Sequence, residues 1–360
     1  MNGRRRFSSL FLVSLMLLST LGGMAFVPGA SASNETKSGI IVGTETWSGT
    51  HTLTGDVEVA EGAKLIINAG TTVNFPAGVF LNVRGALCAG DSACGATQGG
   101  SGSEIQLSWG TPSNWSATGR CYNANIQRWN SDAACGGGVV IRSTIDQAIT
   151  GMSYVHFEGA YGYPIYSQSL QRSLYGALIF DGASLEADHL SFANINTSNV
   201  VVLNAAAPTI VDSEFTLGVD ENEYKAASVQ ANGAGLGILS TFELRDSVFT
   251  GDTEATCGNQ GGGFSVVYAE ESYIRMDGLD ISDNAYGVFL RRSSGWMENS
   301  DIDVLCNGLD TNGYKVTGDV EHTLYINDNV FTTGEGAGIT AYDGARVSAS
   351  RNVVSGASYR

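Results

Sequence analysis

Five aspartates, Asp277, Asp280, Asp283, Asp301 and Asp303, are the group of side chains in this 360-residue sequence best placed to do chemistry. Asp280 and Asp301 lie 21 positions apart, which would stack them if one turn of a coil consumed that many residues. Stacked carboxylates can supply the hard oxygen ligands of a Ca²⁺ ion, or an acid and a nucleophile for glycoside cleavage. With 36 acidic side chains in the chain, a solvated acidic stripe explains the pattern equally simply, and the sequence favours that reading. Asp188-His189 offers an acid beside a base, but neighbouring strand residues point to opposite faces. Arg291-Arg292 reads as neutralising nearby carboxylates rather than clamping an acidic sugar. Tyr161, Tyr163 and Tyr166, with Pro164 among them, read as a large loop packed on the main body rather than a platform for sugar rings. The histidines, at 51, 156, 189 and 322, share no spacing, and lysine occurs only at 37, 64, 225 and 315. No catalytic, cofactor-binding or metal-ligating residue is therefore assigned.

The elements that must position these residues begin after a leader. Arg4, Arg5 and Arg6 precede an apolar run, and Ala30-Ser31-Ala32 gives a small-x-small cleavage site, so residues 1–32 read as a secretory signal peptide. No later segment is long and apolar enough to span a bilayer. The net charge of −17, more negative once the leader's arginines are gone, excludes nucleic acid as a partner. Six cysteines in an exported chain favour disulfides. Cys88 with Cys94 and Cys121 with Cys135 each close a short loop, which leaves Cys257 for Cys306. No close Cys-x-x-Cys or Cys/His spacing points to zinc. Sequons at Asn34, Asn114 and Asn196 permit N-glycosylation.

Beyond the leader, the chain repeats. A polar pair followed by an apolar return recurs as Asp212-Ser213-Glu214-Phe215, Asp246-Ser247-Val248-Phe249, Asn299-Ser300-Asp301-Ile302, Asp328-Asn329-Val330-Phe331 and Arg351-Asn352-Val353-Val354. The expected core returns are Phe157, Phe192, Phe215, Phe249, Ile281, Ile302, Phe331 and Val354, at intervals of 21 to 35 residues. The shortest intervals fit one turn of three short strands, and longer ones the same turn with an enlarged loop. Units of this size cannot bury their own apolar face and must stack. Leucines at fixed offsets and long 3.6-period runs are both absent. The class is therefore all-β, a right-handed parallel β-helix solenoid with three short strands per coil. Residues 33–85 form its N-terminal coils, starting from a flexible stretch at 33–39. Residues 86–138 form a cysteine- and tryptophan-containing insertion with one core strand near Ile105-Gln106-Leu107, onto which Trp115 and Trp129 pack. Residues 139–360 form the main β-helix. The last return lacks a polar cap, so the sequence predicts continuation in a longer chain.

The stretch from Thr46 to Leu87, with "LTGDVEVAEGAKLIINAGTTVNF" and then "LNVRGAL", resembles the opening coils of exported, surface-associated bacterial and archaeal β-helix proteins of the pectate-lyase-like superfold. Pectin-degrading members of that superfold imply clustered aspartates with a histidine and an Arg-x-Lys element, or an acidic Ca²⁺ cluster with a basic residue. Arg-x-Lys is absent here, and neither mechanism carries over. The expected function is that of a non-catalytic secreted or cell-surface structural or adhesive protein, contacting surface or extracellular-matrix components and glycans. The alternative is a polysaccharide lyase or glycoside hydrolase using acidic residues on the β-helix face.

Overall fold

A computed structural model describes residues 33–110, 121–123, 128–130, 137–142, 150–167, 172–195, 197–216, 227–233, 239–251, 257, 265–313 and 323–356. The leader, the sequons at Asn114 and Asn196, and the partners Cys121–Cys135 and Trp115–Trp129 as packing elements lie wholly or partly outside the described residues. Short strands follow one another around a three-sided coil. Ser272–Asp277, Asp280–Asn284 and Tyr286–Arg291 make one turn, and Ser294–Glu298, Asp301–Val304 and Leu309–Asn312 make the next. Each strand pairs in parallel with its counterpart one coil away. The architecture is a right-handed parallel β-helix.

Three ladders result, one per side. A phenylalanine ladder carries the predicted returns, and its register matches them coil by coil: Phe157 with Phe192, Phe192 with Phe215, Phe215 with Phe249, and Phe249 with Ile281. It continues through Ile302 and Phe331 to Val354. A valine ladder follows along each coil, and a third ladder of 11 strands closes the prism. The first two ladders merge into one sheet at the N-terminal end, because Gly49–Val59 runs through both sides. Ala86–Ala89 belongs to the third ladder and Ile105–Trp109 to the phenylalanine ladder, so the stretch 86–138 contributes two strands to the coil, one more than expected.

Alternation drives the packing. In Ser272–Asp277 the residues Ile274 and Met276 point inward and Tyr273 and Arg275 outward, as period-two side chains must. The inward aromatics stack: Phe157 on Phe192 at 4.8 Å, Phe192 on Phe215 at 5.2 Å and Phe215 on Phe249 at 4.5 Å. Each such side chain, removed from water, stabilises by about 1.5–3 kcal/mol, with roughly 0.5–1.5 kcal/mol more for the ring pair.

The recurrent polar pair has a specific geometric role at the corner entering the phenylalanine ladder. Its first residue turns the chain with positive φ: 49° at Asp212 and Asp246, 50° at Asn299 and 59° at Asp328. Asp and Asn tolerate that left-handed region better than most residues. The second residue is buried and reaches between coils. The Leu190 amide donates to Ser213 Oγ at 3.1 Å, Ser213 N to Ser247 Oγ at 3.2 Å and Leu279 N to Ser300 Oγ at 3.1 Å. Ser300 N donates to Asn329 Oδ1, and Asn329 N to Asn352 Oδ1, both at 3.0 Å. Leu279 occupies the equivalent place in its own coil and has no polar group to offer Ser247. Buried Asn329 and half-buried Asn352 continue this column of serines.

Replacing Phe249 by Ala should lower stability by about 3–5 kcal/mol in urea titration. Val248→Ala, at the exposed neighbouring position, should change it by no more than about 0.5 kcal/mol. Ser300→Ala orphans the Leu279 amide and should cost about 1–3 kcal/mol. Equal effects at 248 and 249 would contradict the assigned register.

Candidate functional site

The valine ladder lies between the corner at which the chain arrives from the phenylalanine ladder and the corner at which it leaves for the third ladder. Its inward residues, among them Val200, Val229, Val267, Val288 and Leu309, are buried core. Its outward residues change character along the axis. Val140, Ile179, Val201 and Leu203 form a second apolar cluster with Ile165 and Leu174 of an antiparallel hairpin, Tyr163–Ser167 against Arg172–Asp181. The outward column then turns polar and aromatic: Val201 is followed in register by Gln230, Tyr268, Phe289, Asp310 and Thr340. Tyr268 and Phe289 stack with centroids 5.7 Å apart and planes within 1°.

A second outward column runs beside it as Asn232, Glu270, Arg291, Asn312 and Tyr342. Glu270 is only 2% exposed, yet charged partners surround it. Arg292 Nη2 lies 2.5 Å and Arg291 Nη1 3.4 Å from Glu270 Oε1, while Tyr268 donates its hydroxyl to Oε2 at 3.0 Å. Removing either kind of partner would strand a buried charge, which is far costlier than losing a surface ion pair. Both amide atoms of fully buried Asn232 lack partners, as do Asn199 Oδ1 and Gln230 Oε1. Buried polar atoms are seldom left so.

Asp310 closes the floor. Asn307 Nδ2 donates to both of its carboxylate oxygens at 3.1 Å. Burial nevertheless holds this carboxyl above the usual range, against the lowering effect of its Asn307 and Thr340 hydrogen bonds. The phenols of Tyr286 and Tyr342 are pushed up by burial and then by the charge of Asp310.

The residues singled out in the sequence fall elsewhere or act differently. Asp280 and Asp301 are register partners one coil apart, both exposed, on the outer phenylalanine-ladder face. Asp303 faces Thr332, Asp283 sits at a register shift with φ 56°, and Asp277 belongs to the third ladder, where Asn299 Nδ2 donates to it at 2.8 Å. Among the described residues no group of three or more His, Cys, Asp or Glu side chains gathers as metal ligands would. The opposite-face argument against Asp188-His189 is overturned. His189 is a corner residue with φ 50°, so its Nδ1 turns back to within 2.7 Å of Asp188 Oδ1. Ser153 Oγ donates to that same oxygen and Tyr154 stacks on the imidazole at 4.1 Å, which makes a corner clasp. Arg291 and Arg292 do neutralise carboxylates, but the principal one is buried Glu270, so this is not an exposed pair. Tyr163 packs against the second apolar cluster and on Phe80 at 4.6 Å, in a strand hairpin rather than a loop. His51 is buried against Trp47, with burial holding its pKa low, and His156 bonds Ser191 and Glu158. His322, Lys225 and Lys315 lie outside the described residues. Glu270, Phe289 and Asp310 were not singled out, although Tyr268-Ala269-Glu270 carries the signal: polar groups on alternate positions of an otherwise apolar strand.

A disulfide stands at one edge of this face. Cys257 bonds Cys306 across 49 residues, just before Asn307, and Cys88 bonds Cys94 across 6, as the sequence predicts. The third predicted pair, Cys121–Cys135, lies partly outside the described residues.

The raised Asp310 carboxyl fixes a pH signature. The folded chain holds this proton at pH values where the unfolded chain has released it, so stability falls as pH rises from the ordinary aspartate range through the folded-state value. Asp310→Asn should flatten that part of the stability profile, measured by denaturant unfolding at successive pH values; an unchanged profile would show that the carboxyl is not displaced.

The family model for the right-handed β-helix region matches residues 176–359. No curated protein sequence matches the chain. Among solved structures, a mutant of the periplasmic alginate epimerase AlgG is similar over 87% of this chain and 76% of its own, at 10% identity and a TM-score of 0.35. With more than half of its length in that match, and with its strands paired in parallel from coil to coil, the chain belongs to the right-handed β-helix family.

Proposed function

We propose that this is an extracytoplasmic, non-catalytic β-helix protein of the cell surface that holds glycan on the outward face of its valine ladder. The observation carrying the reading is the makeup of that face between Gln230 and Thr340. Two stacked rings, Tyr268 and Phe289, lie beside the fully buried Asn232 amide and Gln230 Oε1, which have no hydrogen-bond partner among the described residues. Rings of this kind take the C–H faces of pyranoses, and free amides take their hydroxyls. The most buried carboxylate, Glu270, is enclosed by two arginines and a tyrosine, an arrangement suited to rigidity rather than to proton transfer. Two disulfides fit an oxidising compartment outside the cytoplasm. The fold itself hosts enzymes and inert shafts alike and does not choose between them.

One observation favours the second reading, a polysaccharide lyase or glycoside hydrolase. Asp310, its carboxyl raised by burial, lies in register with Phe289 and beside the Tyr342 and Tyr286 phenols, where an acid could act.

Binding to immobilised neutral and acidic polysaccharides separates the two. Phe289→Ser should weaken retention at least about tenfold, the loss of more than 1.4 kcal/mol expected of a stacking ring, while the unfolding midpoint stays near that of the native chain. Absence of retention by the native chain would defeat the proposal. Progressive shortening of the polysaccharide, abolished by Asp310→Asn, would replace it with the enzymatic reading.

A further inference from the structure

The third ladder carries an outward feature unrelated to the valine-ladder face. Along its outer column Thr209, Glu243, Arg275, Trp296, Tyr325 and Ser348 follow one another in register. Trp296 is 36% exposed and Tyr325 40%, and their rings stack with centroids 5.7 Å apart at 18°. Tyr273, one column over, meets Trp296 edge-on at 5.3 Å. Ser348 is too small to cover the next face of the Tyr325 ring. Large aromatics are costly to leave in water on a β-sheet that has polar alternatives, so two exposed rings with a third, half-buried one against them ask for an occupant.

The surroundings restrict what that occupant is. Trp47 and Trp109 both place their indole N–H on protein acceptors, Glu45 Oε1 at 2.7 Å and Val79 O at 3.0 Å. The half-exposed Trp296 has no such bond among the described residues. The charges beside the rings are tied to one another: Glu243 lies 3.2 Å from Arg245 and 3.4 Å from Arg275. That rim offers a cationic polymer no free carboxylate at Glu243, and the net charge of −17 opposes an acidic polymer. Area argues against a protein partner. A stable interface takes about 800 Å² from each side, whereas fully burying three aromatic side chains would remove about 150–250 Å² apiece and these begin partly covered. A chain that needs only the open face of Tyr325, the exposed ring edges and a few hydroxyl contacts fits the available surface.

We propose that Trp296, Tyr325 and Tyr273 form a second carbohydrate contact, a platform on the open third ladder for neutral, equatorially substituted glycan. It does not depend on the valine-ladder site. Native-gel retardation in soluble neutral β-glucan, mannan and galactan, with an acidic polysaccharide as contrast, tests it on the full chain. The native protein should be retarded by at least one neutral polymer. Trp296→Ser and Tyr325→Ser should each reduce that retardation at least about fivefold in chains that remain folded by circular dichroism, while Phe289→Ser leaves this component in place. Addition of the same polymer should also quench tryptophan fluorescence in the native chain and not in Trp296→Phe. The proposal fails if no neutral polymer retards the chain, or if both serine variants bind as the native chain does. It fails equally if only Phe289→Ser abolishes binding, which would leave the valine-ladder reading intact. Concentration-dependent dimerisation lost in Trp296→Ser would assign the rings to a second copy of the chain instead.

Discussion

Parallel pairing between successive coils is the constraint on which the rest of the molecule depends. Between the end coils, the strands of the three ladders take their backbone partners from the coil before and the coil after rather than from their own turn. Register is then not free to vary. A slip of one residue would bring Val248 inward, expel Phe249, and repeat the error on each neighbouring coil. The corner serines and asparagines oppose such a slip. Each catches a backbone amide of the adjacent coil, the serines and Asn329 from a buried position and Asn352 from a half-buried one, and that bond is lost if the coil shifts along the strand direction.

With the interior fixed in this way, the outward residues become available for function one ladder at a time. The three outer faces are chemically unlike. The phenylalanine ladder shows carboxylates and valines to solvent, including the Asp280–Asp301 rung. The valine ladder shows a buried ion-pair network beside rings and orphaned amides. The third ladder shows an aromatic group with Glu243 tied to two arginines at its margin. Outward columns tolerate such divergence because a side chain there contacts mainly its rung neighbours, whereas an inward substitution disturbs packing across the prism.

The fold was legible because inward positions obey two strong rules at once, alternation along the strand and recurrence around the coil. Phe157, Phe192, Phe215 and Phe249 satisfy both, and spacing alone aligned them correctly. The Asp-Ser and Asp-Asn pairs were legible as turns, but their bonds between coils were not, because a turn residue and a ladder residue have the same composition. The candidate site was harder to see. Glu270 looks like one acid among 36, and only the pairing of its strand with Tyr286–Arg291 brings Arg291 and Arg292 against it. Asp188-His189 was misjudged for a related reason: strand alternation was applied to a residue that the left-handed corner removes from the strand. Where backbone conformation departs from the repeat, periodicity ceases to predict direction.

The coil that carries Leu279 has a mechanical consequence. A filament loaded along its axis parts where neighbouring turns share few links, and here, as at Leu190, the interior column of hydroxyls and amides lacks a bond among the described residues. Cys257 belongs to the turn before this coil and Cys306 to the turn after it. Their bridge therefore works as a covalent rivet that spans the coil. Tensile strength at that point passes from side-chain hydrogen bonding to sulfur chemistry, and with it to the redox state of the surroundings.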